Sequence, residues 1–229
     1  MATKKNDKAA LQQERQEKIE ETVSKTEQFY NENKKTIWGC ILAAAVIALG
    51  VLAYNQFYLK PKMAEAQEQA YPAEAAFRDG NFDLALNGDG NNYGFAQVLD
   101  EYGNKAGKSM NLYAGICALQ LQDYEAAVDY LKKYKGKDPI LAARAQACLG
   151  DAYVGLQRYD EAVSQFEKAA AVSDNLYAAG YLLKAAVTSE ELGNKDKALA
   201  LYETIKDKYP QSMEAYDIDK YINRIKIAE

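Results

Sequence analysis

Three stretches of this chain fall into register with a period of 35 to 36 residues. Gly115 and Gly150 are 35 residues apart, as are Tyr124 and Tyr159, and Ala127 and Ala162; Ala198 follows Ala162 by 36. A period in this range means stacked helix–turn–helix units, none of which buries its apolar face without its neighbours. The shared positions have a physical reading. Glycine inside a helix costs about 1 kcal/mol relative to alanine, so Gly115 and Gly150 mark places where a second helix comes close. Ala127, Ala162 and Ala198 do the same for the second helix of each pair. Leu131, Phe166 and Tyr202 lie one turn further along the same face and are expected to fill the space between helices. Pro139 and Pro210 are expected to stop the second helix before the next unit begins.

Residues 61–78 are also helical in pattern, with Ala64, Ala66, Ala70, Ala73, Ala76 and Phe77 on one side, and Asp79-Gly80-Asn81 breaks them. A short helix from Phe82 runs into Asn87-Gly88-Asp89-Gly90-Asn91-Asn92. Alternating Asn and Asp resembles a calcium loop, but Val98 stands where the bidentate acid belongs. A turn using Gly and Asn for positive φ explains the same residues. With another helix at residues 95–102, residues 60–104 read as a degenerate fourth unit split by the Gly/Asn loop. The end, 212–228, reads as a capping helix with Met213, Tyr216, Tyr221, Ile222 and Ile225 inward.

These motifs resemble the tetratricopeptide repeat family. Its pattern has Leu-Gly and then Tyr in the first helix, and Ala, an aromatic, Ala and finally Pro in the second. Leu149-Gly150, Tyr153, Ala162, Phe166 and Ala169 match it, with Asp174 in place of the proline. The unit before keeps Gly115, Ala127 and Pro139 but has Ala118 for the tyrosine; the unit after keeps Ala198, Tyr202 and Pro210 but has Ala186 and Ser189 in its first helix. The resemblance implies a curved stack whose first helices line a concave, protein-binding groove. By register that groove receives Leu112, Ile116 and Leu119, then Arg144, Ala147, Asp151 and Val154, then Leu183, Val187 and Glu190. Repeats that clamp a terminal carboxylate place Lys and Asn at such positions, and this chain does not. A mostly apolar groove suits an extended or helical segment of a partner, or the chain's own capping helix.

A second feature decides where the chain works. The 24 residues 36–59 carry no charge and lie between Lys34-Lys35 and Lys60 and Lys62. An apolar helix of roughly 20 residues is what a hydrocarbon core about 30 Å thick demands. Trp38 at one end and Tyr54, Phe57 and Tyr58 at the other suit the headgroup level. The preceding 35 residues are too long and too acidic for a signal peptide. Ala48-Leu49-Gly50 imitates a cleavage site, but the apolar run continues past it, and Cys40 stands near the start of the run rather than at its end, where a lipid-acceptor cysteine belongs. We therefore expect an uncleaved anchor. Lys18, Lys25, Lys34 and Lys35 before it, against Lys60, Lys62 and Arg78 after it, slightly favour a cytoplasmic N-terminus and an exported C-terminal domain. Leu11, Ile19, Val23 and Tyr30 in the charged tail, 1–35, recur at helical spacing and predict an exposed helix running into the anchor.

The expected class is thus all-α: a charged tail at 1–35, a single N-terminal transmembrane helix at 36–59, linking helices at 60–104, a tetratricopeptide-repeat α-solenoid at 105–211 and a capping helix at 212–229. This layout resembles the YfgM-like bacterial inner-membrane proteins. The resemblance implies an ancillary role at the Sec translocon, with translocon subunits, a periplasmic chaperone or exported chains as partners; the alternative is a structural scaffold of another envelope complex, for division, secretion or surface assembly.

Composition closes other routes. The net charge is −5, and no basic stripe appears, which argues against nucleic acid. There is no histidine, which removes histidine-based triads, general bases and the commonest metal ligand. Of the three cysteines, Cys40 lies in the apolar run, and Cys117 and Cys148 sit in apolar helices, where they read as small buried hydrophobes, with a bridge between them as the alternative. No catalytic constellation or phosphate loop stands out, and we expect no enzyme, cofactor or metal.

Overall fold

The computed structural model describes residues 3–172 and 177–227, with side chains from residue 27 onward except 28 and 104. Asp174 and Ala228 lie outside the described residues, as do the side chains of Leu11, Ile19 and Val23. The described residues are helices and their connections, with no strand among them. The chain divides into two units, Met1–Lys60 and Pro61–Glu229.

The first unit is helix α1, Thr3–Tyr54, followed by a π-helical turn, Asn55–Leu59. Tail and apolar run are thus one helix. Ile41, Leu42, Val46, Ile47, Leu49, Val51 and Leu52 are all exposed. Among the described residues one helix is long and apolar enough to cross a membrane.

The second unit is a series of antiparallel helix pairs. In order they are α2 (Lys60–Arg78), α3 (Phe82–Asn87), α4 (Phe95–Tyr102), α5 (Met110–Gln120), α6 (Tyr124–Lys133), α7 (Pro139–Gly155), α8 (Tyr159–Val172), α9 (Ala178–Glu191), α10 (Lys195–Lys208), α11 (Met213–Tyr216) and α12 (Ile218–Ile227). Each helix from α5 to α10 packs on the next.

One turn recurs four times. After α2, α5, α7 and α9 the second residue past the helix has positive φ: Gly80, Gln122, Gln157 and Gly193. At each, its N–H and that of the next residue reach back to helix carbonyls three and five residues earlier, as in Gly80 N to Phe77 O and Asn81 N to Ala76 O, or Gln157 N to Val154 O and Arg158 N to Tyr153 O. This is the Schellman cap, which satisfies carbonyls that a helix end leaves open. Gly80 therefore joins α2 to α3 by the same turn that joins the helices of the later pairs. It precedes Gln122 by 42 residues, against 35 and 36 for the next two steps, and the excess is the Gly/Asn loop between α3 and α4. That loop is a turn: Asp89 accepts bonds from Asn91 N and Asn92 N at 2.9 and 2.7 Å and from Asn92 Nδ2 at 3.0 Å.

Between paired helices the glycine positions are filled as the repeat pattern requires. A Cβ on Gly115 would meet Leu131 Cγ at 2.6 Å, and one on Gly150 would meet Phe166 Cε1 at 2.5 Å. Ala127, Ala162, Ala198 and Tyr202 are fully buried, and Phe166 nearly so. Cys117 and Cys148 are free and buried.

Two expectations need correction. Pro139 does not stop α6, which ends at Lys133; it opens α7, with Asp138 Oδ1 accepting from Leu141 N at 2.9 Å. A missing N–H costs nothing at a helix start, which suits proline there. The C-terminal cap is two helices, not one. Ile218, Ile222 and Ile225 of α12 face inward, but Met213 and Tyr216 of α11 are each 90 % exposed, because Asp217 ends α11 after one turn and α12 starts along a new face.

Candidate protein-binding cleft

A cleft of about 500 Å³ opens between α7 and α9. One wall is a single face of α7, Arg144, Ala147, Cys148 and Asp151, spaced by three, four and seven residues. The other is Tyr177, Gly180, Tyr181 and Lys184, with the same spacing along α9 and the residue before it. Gln211, Met213 and Glu214 close one end. They reach it because Pro210 follows the end of α10 and Ser212 caps α11, its Oγ accepting from Ala215 N at 3.1 Å. Gly180 makes room for this closure: a Cβ there would lie 3.0 Å from Glu214 Oε1.

Charge inside the cleft is unevenly committed. Lys184 Nζ donates to both Asp151 oxygens at 2.7 and 2.8 Å, tying the walls together, and stands 5.6 Å from the centre of the Phe166 ring. Burial pushes the Cys148 thiol up, while the Arg144 guanidinium beside it pulls the other way; burial also raises the Tyr181 hydroxyl. Arg144 itself is exposed and forms no ion pair among the described residues. The cleft thus offers aromatic and aliphatic walls and a cation, Arg144, that hydrogen-bonds Cys148 but has no carboxylate partner among the described residues. No group of Cys, Asp or Glu among the described residues is arranged to hold a metal ion.

Of the residues that register placed in the groove, Arg144, Ala147 and Asp151 line this cleft, although Ala147 is itself buried. Leu183, Val187 and Glu190 do not. Equivalent positions on successive first helices point the same way, so they cannot face each other across a cleft. Asp151 meets Lys184, 33 residues on, one turn short of the 36-residue repeat step. Glu190 acts elsewhere. Its Oε2 accepts from Tyr202 Oη at 3.2 Å and from Arg224, holding α12 against the stack. Leu112 is core, 1 % exposed, and Ile116 and Leu119 are half-buried against that core. Register alone missed Cys148, Tyr177, Gly180, Tyr181 and Lys184. The helical spacing from Tyr177 to Lys184 was the available signal. The α11 wall had none, since it depends on where the chain turns after Pro210.

A family model described as tetratricopeptide repeat matches residues 95–139 and 149–212. No curated protein matches the chain. Among solved structures, one titled "Crystal structure of MamA protein" is 21 % identical with a TM-score of 0.56, covering 72 % of this chain and 82 % of that one. A second, "Crystal structure of MamA", is 22 % identical with a TM-score of 0.53, covering 68 % and 88 %. At such identity the likeness concerns the fold. Residues 95–139 and 149–212 thus match tetratricopeptide repeats, within an all-helical fold.

Proposed function

We propose that the repeat domain holds a segment of a partner protein in the α7–α9 cleft and that residues 36–59 anchor it in a membrane. The observation that carries the reading is the cleft: a concave site with Tyr177, Tyr181 and Met213 around it and Arg144 at its wall without a carboxylate partner. Sites of this kind bury an apolar anchor and use a few polar groups to orient it. The fitting segment places an aromatic or long aliphatic side chain between the tyrosines and a carboxylate beside Arg144. Tethering to a bilayer raises the effective concentration of partners there, so modest affinity suffices.

The lysine bias around the apolar run supports a cytoplasmic N-terminus and a repeat domain across the bacterial inner membrane. The arrangement of tail, anchor and repeats is the support for the narrower reading, an accessory of the Sec translocon that handles exported chains beside a periplasmic chaperone. A scaffold for another envelope complex uses the same cleft with a different partner. Purification of the full chain in mild detergent from its own cells, with Arg144→Glu and Tyr181→Ala variants in parallel, tests the proposal. The expected result is a discrete set of proteins lost from both variants while helix content is unchanged. Recovery that ignores both substitutions would remove the cleft from the account, and the identity of the set separates translocon from scaffold.

A further inference from the structure

The connection from α6 to α7 carries charge that the cleft does not use. Lys132 and Lys133 end α6, and Lys135 and Lys137 follow. All four are exposed, and none forms an ion pair among the described residues. Elsewhere in the domain Lys184, Lys197, Lys206 and Lys226 are each bound to a carboxylate. The Nζ atoms of Lys132 and Lys133 stand 5.7 and 5.8 Å from the ring centres of Tyr153 and Tyr130. Both ammonium groups thus lie over aromatic faces while the side chains remain exposed to water. Asp100 lines the adjoining hollow with three of these lysines. The one acid within the connection, Asp138, has an oxygen committed to capping α7.

Aliphatic side chains come next. Ile140 and Leu141, in the first turn of α7, are 52 % and 37 % exposed. Four cations without an ion pair among the described residues and two exposed aliphatics thus share ten residues of a chain whose net charge is −5. An acidic protein surface would engage the lysines and leave Ile140 and Leu141 without a role. An anionic bilayer surface engages both, since its phosphates attract lysines and its interface accepts apolar side chains.

We infer that the α6–α7 connection docks on an anionic lipid surface, with Lys132, Lys133, Lys135 and Lys137 among the headgroups and Ile140 and Leu141 entering the interface. The inference takes its tether, though not its chemistry, from the anchor reading. The contact is weak by itself and is made effective by the anchor.

A single-tryptophan chain, Trp38→Phe with Ile140→Trp, tests it. The full-length variant is reconstituted into phosphatidylcholine vesicles with or without phosphatidylglycerol, both containing brominated lipid, and quenching at position 140 is read. The expected result is quenching in the anionic vesicles only. It disappears at 1 M salt, where the screening length is about 3 Å, and when all four lysines are changed to Gln. Single Lys→Gln changes each lower the docked-to-free ratio about fivefold. Quenching that is absent from both vesicles, or equal in both, overturns the inference. Flotation of the vesicles distinguishes the failures: a chain that floats without quenching keeps the anchor and loses the docking, and a chain that does not float loses both.

Discussion

Gly150 and Phe166 share one volume: a single added carbon on the glycine would stand 2.5 Å from the ring. The ring belongs to a side chain only 1 % exposed, so it has nowhere to go. Gly115 and Leu131 repeat the arrangement one unit earlier. The glycine gives up helix propensity for close approach, and the aromatic ring returns more than that in packing.

Gly150→Ala is therefore destabilising although alanine favours helix. Overpacking costs typically 1–3 kcal/mol and the propensity gain is about 1 kcal/mol, so a net loss of up to roughly 2 kcal/mol is expected in urea unfolding. Phe166→Leu in the Gly150→Ala background should recover part of it, which a double-mutant cycle would measure.

The repeated Schellman turns predict a gain. Gln122 and Gln157 hold φ of 63° and 58°, where Gly80 and Gly193 hold 77°. A side chain in that conformation costs roughly 1 kcal/mol. Gln122→Gly and Gln157→Gly should each raise stability by up to about 1 kcal/mol, and Gly193→Gln should lower it by a similar amount. Thermal unfolding of the three variants gives the comparison.

Two buried phenols set the alkaline limit. Tyr102 Oη donates to Glu65 Oε1 at 3.0 Å, and burial followed by that carboxylate pushes its pKa up to about 12. Tyr202 is raised as well, by burial and then by Glu190. Unfolded tyrosine ionises near pH 10, so above that pH the unfolded chain holds fewer protons than the native one. Stability is then full below pH 10 and declines as pH rises toward 12 and beyond. Unfolding midpoints across pH 8–12 should fall on the upper side only. Tyr102→Phe should make the fall shallower, with Tyr130, Tyr134 and Tyr181, also raised by burial, leaving a remainder.

Much of the fold was legible because small residues at fixed spacing can mean only close helix contacts. Gly115, Ala127, Gly150, Ala162 and Ala198 all sit where the repeat pattern puts them. What could not be read was the relation between helices that are not paired. The cleft pairs Asp151 with Lys184, not with the register-equivalent Val187, since a cleft needs two faces that oppose each other. Glu190, expected at the groove, instead bonds Tyr202 and Arg224. Its role depends on α12 folding back, which no local pattern announces. Met213 and Tyr216 have helical spacing with Tyr221 but belong to a separate turn, so the apolar pattern placed them inside when they are outside.

The most direct test of the central claim is site-specific photo-crosslinking in the native cells, with the probe at Tyr181 inside the cleft or at Lys168, exposed on α8. The account predicts discrete protein adducts from position 181 and none of the same from 168. No adduct at 181, or the same adducts from both positions, would contradict it.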